Sequence, residues 1–197
     1  RWAIVPAAGR GERFGAVAPK QYAPLLGRPV LSWAIGALLA EPSIDGVVVA
    51  LAAGDRQWST IPEAVDPRVT SCQGGERREH SVANALEALA ARARDTDWVL
   101  VHDAARPCLR GEDLRSLFEA LGDEPVGGLL AVPVGDTLKR QGEDGRSHGT
   151  VAREGLWRAL TPQVFRYGLL RRALALCQER GRTVTDEAAA VEALGLH

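Results

Sequence analysis

The chain has 197 residues, enough for one domain of generous size but not for two independently cored ones. Its 46% apolar and 25% charged fractions exclude disordered, collagen-like and coiled-coil classes. With 24 Lys plus Arg against 25 Asp plus Glu, the formal charge of −1 leaves no basic face for nucleic acid, so any anion site must be local.

Short β-branched runs alternate with helix-period segments along the chain. The first predicted strand is Trp2–Val5, followed after a glycine-rich stretch by a helical stripe of Leu31, Ala34, Ile35, Leu38 and Leu39. Strands at Val47–Leu51 and Val69–Cys72 come next, and then a second stripe of Val82, Leu86, Leu89 and Ala93, with Ser81 predicted as its N-cap. Trp98–His102 is the fourth strand; Leu114, Leu117, Phe118 and Leu121 mark a third helix, and Leu129–Val132 a fifth strand. Leu170, Ala173, Leu174 and Cys177 predict a helix stopped by Gly181, and Thr185 is expected to cap a last helix from Asp186 to Leu194. This order is the sequence form of crossover units feeding a mostly parallel sheet in an α/β fold.

Pro133 to Thr161 breaks the rhythm. It is polar, with Gly142, Gly145 and Gly149 around a charged centre and β-capable ends at Asp136–Lys139 and Thr150–Arg153. A hairpin arm over about residues 134–156 is expected to protrude from a single domain spanning 1–197. Such an arm could reach a neighbouring subunit of a symmetric dimer.

Cys72, Cys108 and Cys177 have no C-x-x-C spacing, and His80, His102, His148 and His197 have no metal-site spacing, so a reducing cytoplasm is expected rather than a disulfide or zinc framework. No apolar run approaches the roughly 20 residues of a membrane span, so no membrane partner is expected. The start at Arg1 and the stop at His197 just after a helical pattern predict that both ends extend further in the full protein.

Chemistry concentrates after the strands. Gly9-Arg10-Gly11-Glu12-Arg13 follows the first, with Pro19-Lys20-Gln21-Tyr22 beyond; small residues and glycine conformations would let backbone N–H groups cradle a phosphate. Arg13 adds a forked donor and Lys20 a mobile charge. A plain turn with solvated charges is the bland alternative. A dinucleotide-binding turn is weakened by Phe14 at the third glycine position, and a Walker A loop by the neighbours of Lys20. Gln73 to Ser81, His102 to Pro107 and Val134 to Thr137 also follow strands, and ligands of open α/β sheets bind at that rim. Asp103 is the natural carboxylate for Mg2+, against a capping or turn Asp paired with Arg106. A Ser81–His80–Asp103 triad is rejected because no G-x-S-x-G elbow surrounds Ser81. His102 is expected to be a buried, hydrogen-bonded histidine facing away from Asp103.

Pro6-Ala7-Ala8-Gly9-x-Gly11-x-Arg13, Pro19-Lys20-Gln21-Tyr22, Gly74-Gly75-x-x-Arg78-x-x-Ser81-Val82, Val101-His102-Asp103-Ala104-Ala105-Arg106-Pro107, Leu160-Thr161-Pro162-Gln163 and Thr185-Asp186-Glu187 closely resemble the 2-C-methyl-D-erythritol 4-phosphate cytidylyltransferase family from end to end. The resemblance implies a Rossmann-like nucleotidyltransferase sandwich that joins CTP to 2-C-methyl-D-erythritol 4-phosphate with release of pyrophosphate, in non-mevalonate isoprenoid biosynthesis, with Mg2+ as cofactor. It implies that Arg13, Lys20 and Arg153 are catalytic, and that Pro6, Ala7, Ala8, Gly9, Gly11, Gly75, Glu76, Ser81 and Ala104 line the nucleotide site. Asp103, Arg106, Thr137, Arg153 and Thr185 would meet the polyol phosphate, with Asp103 also near the metal. Thr137 and Arg153 would lie on an arm that crosses into the other subunit of a homodimer. The family continues beyond the last helix with a strand and a Gly-x-x-x-Asn-x-Lys-like segment carrying a metal Asp and a phosphate-binding Lys; neither stands before His197, so the chain is expected to continue. The alternatives are a cytidylyltransferase for another polyol phosphate, such as ribitol 5-phosphate, and a catalytically silent nucleotide-binding module.

Overall fold

A computed structural model of the chain describes residues 1–9 and 19–197. Strand β1 (Trp2–Ala7) sets the plan: Ala3, Val5 and Ala7 join one apolar cluster while Trp2 and Ile4 join another. Successive strand side chains point to opposite faces, so a strand apolar on both sides must be covered on both. A short turn at Lys20–Tyr22 and a tight hairpin, β2 (Pro24–Leu25) with β3 (Arg28–Pro29), lead into α1 (Val30–Leu39). The remaining elements are β4 (Gly46–Leu51), β5 (Val69–Gln73), α2 (Arg78–Ala88), β6 (Trp98–Val101), α3 (Gly111–Leu121), β7 (Gly127–Pro133), β8 (Leu138–Gln141), β9 (Ser147–Val151), β10 (Trp157–Arg166), α4 (Tyr167–Glu179) and α5 (Glu187–Glu192).

The central sheet has the order β5-β4-β1-β6-β10-β7. β5, β4, β1 and β6 run parallel, and β10 is antiparallel to both of its neighbours. Helices α1 and α3 cover one face, through Leu31, Ile35, Leu38, Leu114 and Phe118. Helices α2, α4 and α5 cover the other, through Val82, Leu86, Leu170, Ala173 and Val191. This is the expected three-layer α/β sandwich. The chain leaves β1 toward β4 on one side and returns to β6 on the other, which opens a crevice beyond the carboxyl ends of these strands.

Several local expectations are corrected. β10 was not foreseen as a strand, because Pro162 and the polar Thr161 and Gln163 interrupt its apolar run. The four-residue step from Ala159 to Gln163 faces a two-residue step from Ala131 to Leu129, an irregularity that accommodates the proline and re-aims Thr161. The hairpin strands sit two to three residues nearer the tip than Asp136–Lys139 and Thr150–Arg153, and among the described residues they pair only with each other. Ser81 is not an N-cap: α2 begins at Arg78, and the Ser81 hydroxyl lies 3.2 Å from the Arg77 carbonyl one turn back. Thr185 is likewise not the cap of α5. The extended Asp186 is, its carboxylate accepting from the Ala189 N–H at 3.0 Å.

Candidate active site

The loop after β1 is held from behind. Gln21, buried in the Lys20–Tyr22 turn, donates its amide to the Ala7 carbonyl at 2.7 Å and to that of Gly9 at 3.2 Å. Tyr22 donates its hydroxyl to Asp55 at 2.7 Å, fixing the other side of the turn. Burial and the adjacent Asp55 carboxylate push the Tyr22 phenol far above its ordinary range, so it remains a donor. Lys20 stands exposed at the head of this clamped turn.

The loop after β5 packs against the first. A Cβ on Gly74 would lie 2.5 Å from the Ala8 Cβ and 2.9 Å from the Ser81 Oγ, so only glycine permits the approach. The Gly74 N–H is taken by the Leu51 carbonyl at 2.7 Å and the Gly75 N–H by the Ser81 Oγ at 3.1 Å. The two glycines therefore give close approach, not N–H donors. Neither they nor Gly9 adopts the positive φ expected of a phosphate turn, and a Cβ on Gly9 would meet no atom of the described residues within 4 Å.

A charged ladder ties this loop to the one after β6. Arg78, at the start of α2, donates through Nη1 and Nη2 to the two oxygens of Glu187 at 2.6 and 3.0 Å, and through Nε to Asp103 Oδ1 at 3.1 Å. Asp103 Oδ2 accepts from Arg106 Nε at 3.0 Å. Glu187 is 1% exposed, whereas the Arg78 and Asp103 side chains are 29% and 30% exposed. Burial opposes the charge on Arg78, but Glu187 and Asp103 outweigh it and hold the guanidinium above its ordinary range. Burial pushes the Glu187 carboxyl up, against the pull of Arg78.

Behind the ladder, His102 is 1% exposed, with Nε2 2.9 Å from the Arg106 carbonyl and Nδ1 3.1 Å from the Thr161 Oγ1. The same hydroxyl lies 3.2 Å from the Asp103 backbone nitrogen. Burial holds the imidazole below its ordinary range, which suits the expected buried histidine. Gln163, two residues on from Thr161, donates to Asp186 at 2.9 Å and accepts from the Ala188 N–H at 2.9 Å, seating α5 against the sheet.

Ala8, Gly75, Ser81, Asp103 and Arg106 are thus gathered on one rim, with exposed Thr185 beside Asp186 next to them. Glu76 is exposed on the same loop as Gly75. Pro6 and Ala7 lie inside β1; the Ala7 side chain belongs to the core, as does that of Ala104, so these two alanines offer backbone only. Thr137 and Arg153 sit at the base of the hairpin, where Arg153 donates to the Gly135 carbonyl, and no described contact brings them to the rim. Gly11 and Arg13 lie outside the described residues. Sequence reasoning gave no role to Gln21, Thr161, Gln163 or the Arg78–Glu187 pair. The signal was their place inside the quoted motifs.

The surroundings of Asp103, the expected Mg2+ ligand, are set by two arginines. Both Asp103 oxygens accept from arginines, and no group of three or more His, Cys, Asp or Glu among the described residues could hold a metal ion. Arg106 pairing is the alternative the sequence had offered for this carboxylate. The described donor set does not fit a protein-built site for a hard cation, which needs several oxygen ligands.

No helix among the described residues is long and apolar enough to cross a membrane. The family model described as IspD: 2-C-methyl-D-erythritol 4-phosphate cytidylyltransferase matches residues 2–197. A curated protein of that name from Dechloromonas aromatica (strain RCB) is 54% identical over 197 residues, covering 99% of this chain and 85% of its own length. One from Pseudomonas putida (strain W619) is 52% identical over 192 residues, covering 97% of this chain and 82% of its own. Among solved structures, a 4-diphosphocytidyl-2C-methyl-D-erythritol synthase superposes with a TM-score of 0.86 at 40% identity, covering all of this chain and 85% of that one. The Francisella tularensis 2-C-methyl-D-erythritol 4-phosphate cytidylyltransferase gives 0.85 at 34%, covering all of this chain and 87% of that one. A rim built from the ends of β1, β5 and β6, on a fold shared over the whole chain, leads to one conclusion: this chain is a nucleotidyltransferase belonging to the 2-C-methyl-D-erythritol 4-phosphate cytidylyltransferase family.

Proposed function

We infer that the chain transfers a cytidylyl group from CTP to 2-C-methyl-D-erythritol 4-phosphate, giving 4-diphosphocytidyl-2-C-methyl-D-erythritol and pyrophosphate, a step of non-mevalonate isoprenoid biosynthesis. The carrying observation is the convergence of three strand-end loops, bearing Ala8, Gly75 and Asp103, on one crevice in a chain that matches the family along its length. In the reaction an oxygen of the 4-phosphate forms a bond to the α-phosphorus of CTP. The bond from that phosphorus to the bridging oxygen breaks, and pyrophosphate leaves with the electron pair. A phosphate monoester is already largely ionised near neutral pH, so no strong base is needed; alignment and fixed positive charge carry the rate.

Lys20, on its clamped turn, supplies charge at the α-phosphorus, and Arg13 is assigned the same task. Ala8, Gly9, Gly75, Glu76 and Ser81 form the nucleotide side. Asp103, Arg106 and Thr185 form the polyol side. Thr137 and Arg153 complete it from the arm of a second subunit in a homodimer, with Arg153 orienting the attacking phosphate. In support, Arg153 stays at the hairpin base within its own chain, and Trp157, where the chain rejoins the sheet, is 61% exposed. Mg2+ enters with the triphosphate, whose hard oxygens are the ligand type this ion takes. Free Cys72, Cys108 and Cys177 support a reducing, cytoplasmic setting.

Coupled pyrophosphate release with a panel of nucleotides and polyol phosphates tests this directly. Release is expected with CTP only when 2-C-methyl-D-erythritol 4-phosphate is present. Equal or better turnover with ribitol 5-phosphate, or none with any pair, would overturn it.

A further inference from the structure

We propose that His102 is a positioning residue: as the neutral Nε2–H tautomer it clasps both ends of the Asp103–Arg106 turn and so presents two polyol-side residues together. The proposal rests on the functional reading above for the roles of Asp103 and Arg106; the clasp itself rests on geometry.

The direction of each hydrogen bond follows from the partners. The Arg106 carbonyl can only accept, so Nε2, 2.9 Å away, must carry a hydrogen. A bare Nδ1 then accepts from the Thr161 hydroxyl at 3.1 Å, which leaves the hydroxyl oxygen to accept from the Asp103 N–H at 3.2 Å. Each donor in this chain meets an acceptor. The opposite tautomer would set the Nε2 lone pair against a carbonyl lone pair. In a doubly protonated ring, the Thr161 oxygen would face two donors. That arrangement is costly for a residue 1% exposed.

The two ends that are held are the N–H where the turn begins and the C=O where it finishes. The turn also closes on itself, with the Arg106 N–H 3.1 Å from the Asp103 carbonyl and the Arg106 Nε 3.0 Å from Asp103 Oδ2. Asp103 and Arg106 thus move as one piece, indexed to β6 through His102 and to β10 through Thr161. The irregularity in β10 aims Thr161 at this junction. Of the nucleotide-side residues, Ala8 and Gly75 take no part in this chain of hydrogen bonds, while Ala104 lies inside the clasped turn and Arg78 links Asp103 to the Gly75 loop. Loosening the clasp should therefore weaken the polyol phosphate more than CTP.

The test combines a spectrum with kinetics on the full chain. Long-range 1H–15N correlation of the histidine rings should show His102, identified by its loss in His102→Phe, with a protonated Nε2 and an unprotonated Nδ1. Thr161→Val removes the hydroxyl at nearly constant shape and should raise KM for 2-C-methyl-D-erythritol 4-phosphate about tenfold, with a clearly smaller rise in KM for CTP. Thr161→Ser should restore it. His102→Phe leaves the Thr161 hydroxyl in place and should reproduce the selective rise, which a direct contact of Thr161 with substrate would not produce. A merely structural defect would lower the active fraction, and hence kcat, without separating the two KM values. A protonated Nδ1, or an unchanged polyol-phosphate KM in Thr161→Val, would overturn the proposal. If the wild-type chain releases no pyrophosphate, the functional reading fails instead, and the tautomer spectrum still decides the clasp.

Discussion

Replacing Arg78 by Met isolates what the charged ladder contributes to stability. Glu187 is 1% exposed, and both of its oxygens are held by the Arg78 guanidinium, so the substitution strands a buried carboxylate. Asp103 loses a partner too, but it keeps Arg106 and is 30% exposed, so water offsets most of that loss. Removing one partner of a buried pair costs about 3–5 kcal/mol. At about 2–4 °C per kcal/mol for a chain of this size, the melting temperature should fall by roughly 6–20 °C. The deficit should narrow on acidification. Burial already raises the Glu187 pKa in the fold; losing Arg78 raises it further, and a raised folded pKa gives stability that is present at low pH and lost as pH rises through it. Replacing both residues, as Arg78→Met with Glu187→Leu, should recover most of the loss, because an apolar pair needs no compensating charge. Thermal unfolding by circular dichroism at neutral and acidic pH reads all three effects. A single variant within about 1 kcal/mol of wild type, or a double variant as weak as the single, would refute the assignment of a buried ion pair.

Three further outcomes are expected. Lys20→Ala should keep its circular dichroism spectrum and lose about 10²–10³ in turnover, measured by pyrophosphate release, because Lys20 is exposed and its charge serves the transferring phosphoryl group. Gly74→Ala should cost about 1–3 kcal/mol in chemical denaturation and raise KM for CTP, since the new methyl would stand 2.5 Å from the Ala8 Cβ. Stability should decline as pH falls below about 6.5, where the unfolded His102 gains a proton that the buried ring resists, and level off below its depressed folded value. The slope approaches about 1.4 kcal/mol per pH unit, and the gap between wild type and His102→Gln should shrink across that window; a constant gap would count against a buried neutral ring.

Much of this molecule was legible in the chain, for reasons that differ by region. The five foreseen strands all appear; β1, β4 and β6 were plain because their runs are apolar on both sides and only a covered sheet accommodates that, while β5 and β7 stand at the sheet edges. The rim was legible because its motifs follow strands. β10 was not, since Thr161, Pro162 and Gln163 carry polar duties on an irregular strand and leave no alternation to read. The caps at Ser81 and Thr185 were misplaced because several hydroxyl and carboxylate groups compete at each helix entrance; at α5 Asp186 holds the first turn, while Ser81 turns to Gly75. That Asp103 holds a second arginine besides Arg106 was likewise invisible to spacing. Its surroundings depend on Arg78, whose partner Glu187 lies more than a hundred residues away.

The hairpin leaves the sheet at Pro133 and rejoins it at Trp157, two residues that are themselves directly opposite one another. It is therefore a graft on a finished seam. Lengthening, shortening or recharging the β8–β9 segment shifts no register elsewhere, so this part of the protein can diversify over generations while the crevice keeps its dimensions.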